Sequence, residues 1–140
     1  MPNHWLALTV LYTAFHQKQM HDEVMETLTA FYSVMGLDEG SKALTRVYEE
    51  AGYAGAMKTL VEMLEEISRA TYFSPFMIAE AHVFAGDKDQ ALSWLEKGFE
   101  VRDPQMAYIG VMPHFVDLLR DEPRFLEMLR RMDLPVDEKE

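Results

Sequence analysis

The chain has 140 residues, a length that suits one domain, and it lacks cysteine, which excludes disulfides, thiolate metal sites and cysteine nucleophiles. Its formal net charge of −11 at pH 7 disfavours binding to nucleic acid phosphates and favours a neutral or basic partner. Hydrophobic residues make up 49% of the chain, so a sizeable core can form.

The first predicted element is apolar. Residues 5–15, WLALTVLYTAF, are too few to span a bilayer, and they lack the basic flank and small-residue cleavage site of a signal peptide. We therefore expect a cytoplasmic protein with no membrane contact.

Helical periodicity continues along the chain, and no stretch shows the period of two that is typical of a strand. In residues 57–70, for example, Met57, Leu60, Leu64 and Ile67 form one apolar stripe with charges opposite. These patterns predict helices near 3–18, 21–35, 40–51, 53–70, 74–85, 88–101, 104–109, 113–120 and 123–132.

Local signals divide these helices. Ser74-Pro75 is typical of an N-cap followed by proline in the first turn, and Asp87 with Gln90 resembles a capping box. Further helix starts are predicted at Asp103-Pro104, Met112-Pro113 and Glu122-Pro123, and turns at Gly36, Gly40, Gly52 and Gly86.

A repeat is visible from the stretch AGDKDQALSWLEKGFE, residues 85–100. Ala91 is a small residue early in the second helix of a hairpin, and Ala56 and Val24 occupy similar positions earlier in the chain. The interval from Val24 to Ala56 is slightly shorter, and the interval from Ala56 to Ala91 slightly longer, than the roughly 34 residues of a helix–turn–helix repeat unit. Each such hairpin has an apolar face that only a neighbouring hairpin can bury.

On these residues the chain resembles the tetratricopeptide repeat family. The clearest unit is Tyr72–Pro104, and the closing segment LLRDEPRFLEMLRRMDLP is similar to the C-terminal repeat region of bacterial regulators that carry winged-helix or kinase domains. Within the unit the matching positions are Ile78, Ala79, His82, Gly86, Asp87, Ala91, Leu95 and Gly98.

The resemblance implies an all-α fold. We expect one domain, 1–140, that forms a short α-solenoid of about three tetratricopeptide-like hairpins with a C-terminal capping helix pair. The expected boundaries are hairpins at about 3–35, 40–70 and 74–101, an irregular turn and cap at 104–132, and a polar tail at 133–140.

The resemblance also implies a concave groove lined by the first helix of each hairpin. Such a groove binds a peptide or a helix, with aromatic side chains as anchors. An alternative interpretation is that several of these aromatic residues belong to the core. The predicted groove residues are Phe73, Phe76, Glu80, Val83, Phe84, Thr45, Tyr48 and Glu49.

Catalytic and metal-binding patterns are weak. The histidines have no H-x-x-x-H or H-E-x-x-H spacing, and His82 is interpreted as a buried, hydrogen-bonded residue. Adjacent carboxylates such as Glu65 and Glu66 are interpreted as solvated helix faces. We expect no enzyme activity, no metal and no cofactor.

The sequence therefore predicts a non-catalytic protein-interaction module, and the resemblance implies a role as the sensing or scaffolding part of a bacterial regulator. One alternative is a binder of a small apolar ligand in a pocket of Phe, Tyr and Met side chains, which residues 104–115 could edge. Another is self-association through exposed aromatic residues of a terminal hairpin, giving a homodimer.

Overall fold

The computed structural model describes residues 4–134, and of residues 4–6, 108 and 111 it describes the backbone alone. Within this range the chain forms seven α-helices and one 3-10 helix, with no strand, so the predicted all-α class is confirmed. By its internal contacts the chain divides into two compact units, unit 1 (Met1–Met63) and unit 2 (Leu64–Glu140). The single domain and the solenoid of repeats stay predictions.

Unit 1 is built on a helical hairpin. Helices α1 (His4–Gln17) and α2 (His21–Val34) pack against each other, and Tyr12 meets Phe31 edge to face with ring centroids 5.5 Å apart. Helix α3 (Asp38–Ala70) follows, and its first part is tied to α2 because the Ser41 hydroxyl donates to the Thr29 carbonyl at 2.8 Å. The fully buried side chains of unit 1 include Tyr12, Val24, Leu28, Tyr32, Leu44, Met57 and Leu60.

Helix α3 is interrupted at Gly52, where the backbone is non-helical (φ 81°, ψ −172°). This break divides the element at the point where the sequence predicts two helices, 40–51 and 53–70. The predicted turn at Gly40 is wrong, because Gly40 lies inside the first part of α3. A Cβ atom at Gly40 would clash with Met63 Sδ, so this glycine permits a close approach rather than a turn.

Unit 2 continues from the end of α3 with a second hairpin, α4 (Pro75–Phe84) and α5 (Lys88–Glu100). The 3-10 helix η1 (Pro104–Val111) comes next, where the sequence predicts a helix at 104–109, and α6 (Pro113–Leu119) and α7 (Pro123–Arg131) complete the unit. Residues 135–140 of the predicted polar tail lie outside the described range. Fully buried side chains of unit 2 include Leu64, Phe76, Ile78, Leu92, Leu95, Ile109, Phe115, Leu119 and Phe125.

The predicted helix starts in unit 2 are confirmed. Helices α4, η1, α6 and α7 each begin with proline. Proline has no backbone N–H, so it leaves no donor without an acceptor in the first turn. Ser74 Oγ accepts from the Met77 N–H at 3.4 Å, and Asp87 Oδ1 accepts from the Gln90 N–H at 3.1 Å. Local side-chain chemistry therefore determines where these helices begin.

Candidate functional site

Three predicted groove residues of α4, Phe76, Glu80 and Phe84, are four positions apart and lie on one helix face. All three are buried, and so is Val83. Helix α6 covers this face, with the Phe76 and Phe115 ring centroids 5.2 Å apart. Phe73, just before α4, is half-buried. The core interpretation is thus confirmed for Phe76 and Phe84, whereas a binding role for the groove residues stays a prediction.

The other predicted groove residues lie in unit 1, on the first part of α3. Thr45 and Glu49 are exposed and Tyr48 is half-buried. The Tyr48 hydroxyl donates to Asp22 of α2, and this hydrogen bond, more than burial, raises the pKa of Tyr48. Thr45 lines a polar cleft of about 450 Å³ between α2 and α3. The other residues of this cleft are Glu26, Thr29, Ala30, Ser33, Asp38, Ser41 and Lys42.

A buried carboxylate–imidazole pair joins α4 to α6. Glu80 Oε2 lies 2.9 Å from His114 Nε2, and both side chains are almost completely inaccessible to solvent. His114 Nδ1 is also buried and has no hydrogen-bond partner among the described residues. The pair is enclosed between α4 and α6 and joins these two helices by a polar contact.

A second polar cluster joins α3, α4 and α5 in unit 2. Glu65 Oε2 lies 2.7 Å from His82 Nε2 and accepts from the Trp94 indole N–H at 3.2 Å. The prediction that His82 is buried and hydrogen-bonded is confirmed. The prediction that Glu65 belongs to a solvated face is wrong, because only 28% of its side chain is exposed and its carboxylate contacts His82 and Trp94. Its position one helical turn after the buried Val61 is the sequence signal that could have indicated this.

A third buried carboxylate, Asp103, ties the start of α4 to the start of η1. Asp103 Oδ2 accepts from the Ser74 hydroxyl at 2.6 Å and from the Phe76 N–H at 3.3 Å. Its Oδ1 accepts from the Gln105 N–H at 3.0 Å. These hydrogen bonds satisfy a carboxylate that burial would otherwise make costly. From the sequence, Asp103 is recognisable only as a helix-start residue.

An open feature of unit 2 lies among α5, η1 and α7, and we call it the Phe99 cleft. It has two lobes, of about 430 and 620 Å³, which share Phe99, Glu100 and Arg131. The first lobe also contains Glu96, Pro123, Arg124, Glu127 and Met128, and the second Gly98, Arg102, Asp103, Pro104, Met106, Ala107 and Met132. The prediction that residues 104–115 could edge a pocket is confirmed for Pro104, Met106 and Ala107.

The Phe99 cleft is lined by both apolar and charged side chains. The Arg131 guanidinium carbon lies 4.8 Å from the centroid of the Phe99 ring, in a cation–π contact. Of the methionines at the cleft, Met132 is half-buried and contributes apolar surface, whereas Met106 and Met128 are almost completely buried. No local sequence pattern indicates that residues 99, 106 and 131 lie close together.

The charges around this cleft are of two kinds. Arg124 forms a bidentate contact with Glu96: Nε donates to Oε2 at 3.0 Å and Nη2 donates to Oε1 at 2.8 Å. These hydrogen bonds lower the pKa of Glu96. By contrast, no carboxylate of residues 7–134 lies within 4.0 Å of the guanidinium nitrogens of Arg102 or Arg131. Two cationic groups are therefore available to an acidic ligand.

Metal and membrane features are not seen in the described part of the chain. No group of three or more His, Asp or Glu residues there has an arrangement that could hold a metal ion. None of the described helices combines the length and the apolar character that crossing a bilayer requires.

Comparison with known proteins leaves the family undecided. Neither protein-family models nor curated proteins nor solved structures gave a match to this chain. The tetratricopeptide resemblance therefore stays a prediction that depends on the residues quoted for it.

Proposed function

We propose that this protein is a non-catalytic interaction module, which binds a short peptide segment of a partner protein in the Phe99 cleft. The observation that carries the proposal is the combination of an apolar surface formed by Phe99 and Met132 with two arginines, Arg102 and Arg131, that have no carboxylate partner among the described residues. Apolar contacts would supply affinity, and the arginines would supply orientation.

The local charge favours an acidic residue in the bound segment. The chain as a whole is strongly acidic, which is why the sequence predicts a neutral or basic partner. At the Phe99 cleft, however, Glu96 is engaged by Arg124, and Asp103 is engaged by backbone and side-chain donors. In the second lobe Arg102 and Arg131 then outnumber the remaining carboxylate, Glu100, and in the first lobe Glu127 lies 3.7 Å from Arg130. We therefore propose a segment in which Asp or Glu neighbours a large apolar side chain.

The shape of the cleft favours a peptide over a small apolar ligand. Sites for small molecules usually enclose most of the ligand surface. The two lobes of the Phe99 cleft instead adjoin along α5 and are open to solvent, so an extended segment fits them better. A compound retained through purification and released by Ala107→Glu, a change in the second lobe, would favour the small-ligand alternative.

The absence of catalysis is part of the proposal. General acid–base catalysis needs a titratable group within hydrogen-bonding reach of the substrate. The Glu80–His114 pair is enclosed between α4 and α6, and Glu65 and His82 contact each other and Trp94. These groups are occupied in holding helices together. A role as the sensing or scaffolding part of a bacterial regulator is a proposal from the resemblance alone.

A display library of random peptides, panned on the intact protein, tests the binding proposal. We expect enrichment of acidic residues next to large apolar ones. The enriched peptides should bind the double variant Arg102→Gln/Arg131→Gln about tenfold or more weakly, since hydrogen bonds to charged groups contribute about 1.5–3 kcal/mol.

The matched control is Arg46→Gln/Lys58→Gln, which removes two exposed cations from unit 1. It should leave peptide affinity unchanged at a fixed ionic strength. Enrichment without acidic preference, equal binding to the two double variants, or no enrichment would each contradict the proposal.

A further inference from the structure

Helix α1 has an apolar face on its outer side as well as on its packed side. Tyr12 is completely buried in unit 1. On the opposite side, Val10 and Leu11 are 60% and 43% exposed, and Ala7 and Ala14 are also exposed. Positions 7, 10, 11 and 14 share one helix face, and we call this set the α1 stripe. Such a face on a surface helix indicates an interaction site.

The α1 stripe lies on a helix without charge. Helix α1, HWLALTVLYTAFHQ, contains no Asp, Glu, Lys or Arg, although the chain carries a net charge of −11. Two copies of so acidic a chain repel each other wherever their carboxylates come close. The α1 stripe is therefore a surface across which a second copy can approach with little repulsion.

The order of residue sizes in the α1 stripe is symmetric. Small residues, Ala7 and Ala14, flank two larger ones, Val10 and Leu11. A two-fold axis between positions 10 and 11 would set Ala7 of one copy opposite Ala14 of the second, and Val10 opposite Leu11. Small residues at both ends would let two antiparallel helices approach to about 8–10 Å. A self-complementary patch is what a two-fold interface requires.

We propose that the α1 stripe is a homodimer interface, in which α1 of one copy packs antiparallel to α1 of a second copy. One helix face buries less than the roughly 800 Å² per partner of a standard stable interface. The dimer should therefore dissociate on dilution rather than be obligate. This interface involves unit 1 and does not depend on peptide binding at the Phe99 cleft.

Sedimentation velocity of the intact chain over a dilution series tests the interface. We expect a monomer–dimer equilibrium that Leu11→Glu weakens about tenfold or more, because it places carboxylates on both sides of an apolar contact. The matched control is Val101→Glu, which puts the same charge on an exposed apolar residue of unit 2 and should leave the equilibrium unchanged. Circular dichroism verifies that each variant is folded.

Disulfide trapping tests the antiparallel arrangement, because the chain has no cysteine of its own. Under mild oxidation a mixture of Ala7→Cys and Ala14→Cys chains should form the mixed disulfide in preference to either self-disulfide, since facing Cα atoms must lie within about 7 Å. A chain that stays monomeric at every concentration, equal dimerisation of the Leu11 and Val101 variants, or dominant self-disulfides would overturn the proposal.

Discussion

Glu80 of α4 and His114 of α6 form a polar pair inside unit 2, with Glu80 Oε2 and His114 Nε2 separated by 2.9 Å. Phe76 and Phe84, one turn before and one turn after Glu80, also contact α6, through Phe115 and His114. The pair therefore lies at the centre of an apolar contact, where a mismatched register would leave a charge or a dipole without a partner.

Removing one member of this pair should destabilise the protein strongly. We expect Glu80→Ala to lower the free energy of unfolding by about 3 kcal/mol or more, because it leaves His114 buried with neither ring nitrogen hydrogen-bonded by a described residue. Urea denaturation measures this change. The double variant Glu80→Leu/His114→Phe should recover part of the loss, and the exposed control Glu49→Ala should stay within about 0.5 kcal/mol of the original protein. Strictly additive losses at the two positions would contradict a coupled pair.

Glu65 and Glu66 are neighbours in sequence but should differ in their effect on stability. Glu65→Ala removes the acceptor of the Trp94 indole and the partner of His82, and we expect a loss of about 1.5–3 kcal/mol. Glu66→Ala removes an exposed carboxylate that contacts Arg69, and the loss should be below about 1 kcal/mol. Urea denaturation provides both values.

The fluorescence of Trp94 gives an independent reading of the Glu65 contact. In a Trp5→Phe background, Trp94 is the only tryptophan of the chain. Its emission should shift in Glu65→Ala and stay unchanged in Glu66→Ala. Equal stability losses in Glu65→Ala and Glu66→Ala, or an emission spectrum that neither substitution alters, would show that the carboxylate of Glu65 does not bind the indole.

Gly52 should resist replacement although there is space around it. A Cβ atom there would have no other atom within 4 Å, so the cost of a side chain is conformational rather than steric crowding with the rest of the fold. Its φ of 81° and ψ of −172° fall in a region that is essentially restricted to glycine. We expect Gly52→Ala and Gly52→Asn each to reduce the free energy of unfolding by about 1–3 kcal/mol. Rescue by asparagine, which tolerates the left-handed helical region, would contradict this explanation.

The Glu96–Arg124 contact should make a small, pH-dependent contribution to stability. Because the hydrogen bond to Arg124 lowers the pKa of Glu96 in the folded state, its contribution is present above the unfolded pKa and lost as pH falls through the folded pKa. Both groups are well exposed, so Arg124→Gln should cost less than about 1 kcal/mol at neutral pH. Urea denaturation at neutral and acidic pH, with Arg46→Gln as control, measures this. A cost that persists after Glu96 is protonated would contradict the electrostatic explanation.

Local chemistry made much of the secondary structure predictable. Proline fixes φ and has no N–H, so the pairs before α4, η1, α6 and α7 indicate helix starts whatever the tertiary fold. Gly52 was likewise recognisable as a break. Gly40 was not recognisable as a helical residue, because its role depends on Met63, a residue far away in sequence. A glycine that ends a helix and a glycine that admits a neighbouring side chain look alike in the sequence.

The site was less predictable than the helices, for a related reason. Periodicity placed Phe76, Glu80 and Phe84 on one face of α4, which is correct, but it does not say what covers that face. In unit 2 that face is covered by α6, a short helix whose apolar residues also fit the predicted C-terminal cap. The Phe99 cleft forms where α5, η1 and α7 pack together, and a local sequence pattern does not predict which elements pack together.

Asp103 has a consequence for how the protein opens. One carboxylate accepts both the Phe76 amide in the first turn of α4 and the Gln105 amide in the first turn of η1. If the Asp103 carboxylate moves away, both helix starts lose an acceptor at once. In native-state hydrogen exchange these two amides should therefore report the same opening event, although 29 positions separate them in the chain. A segment remote in sequence is thereby joined to α4 in a single cooperative unit.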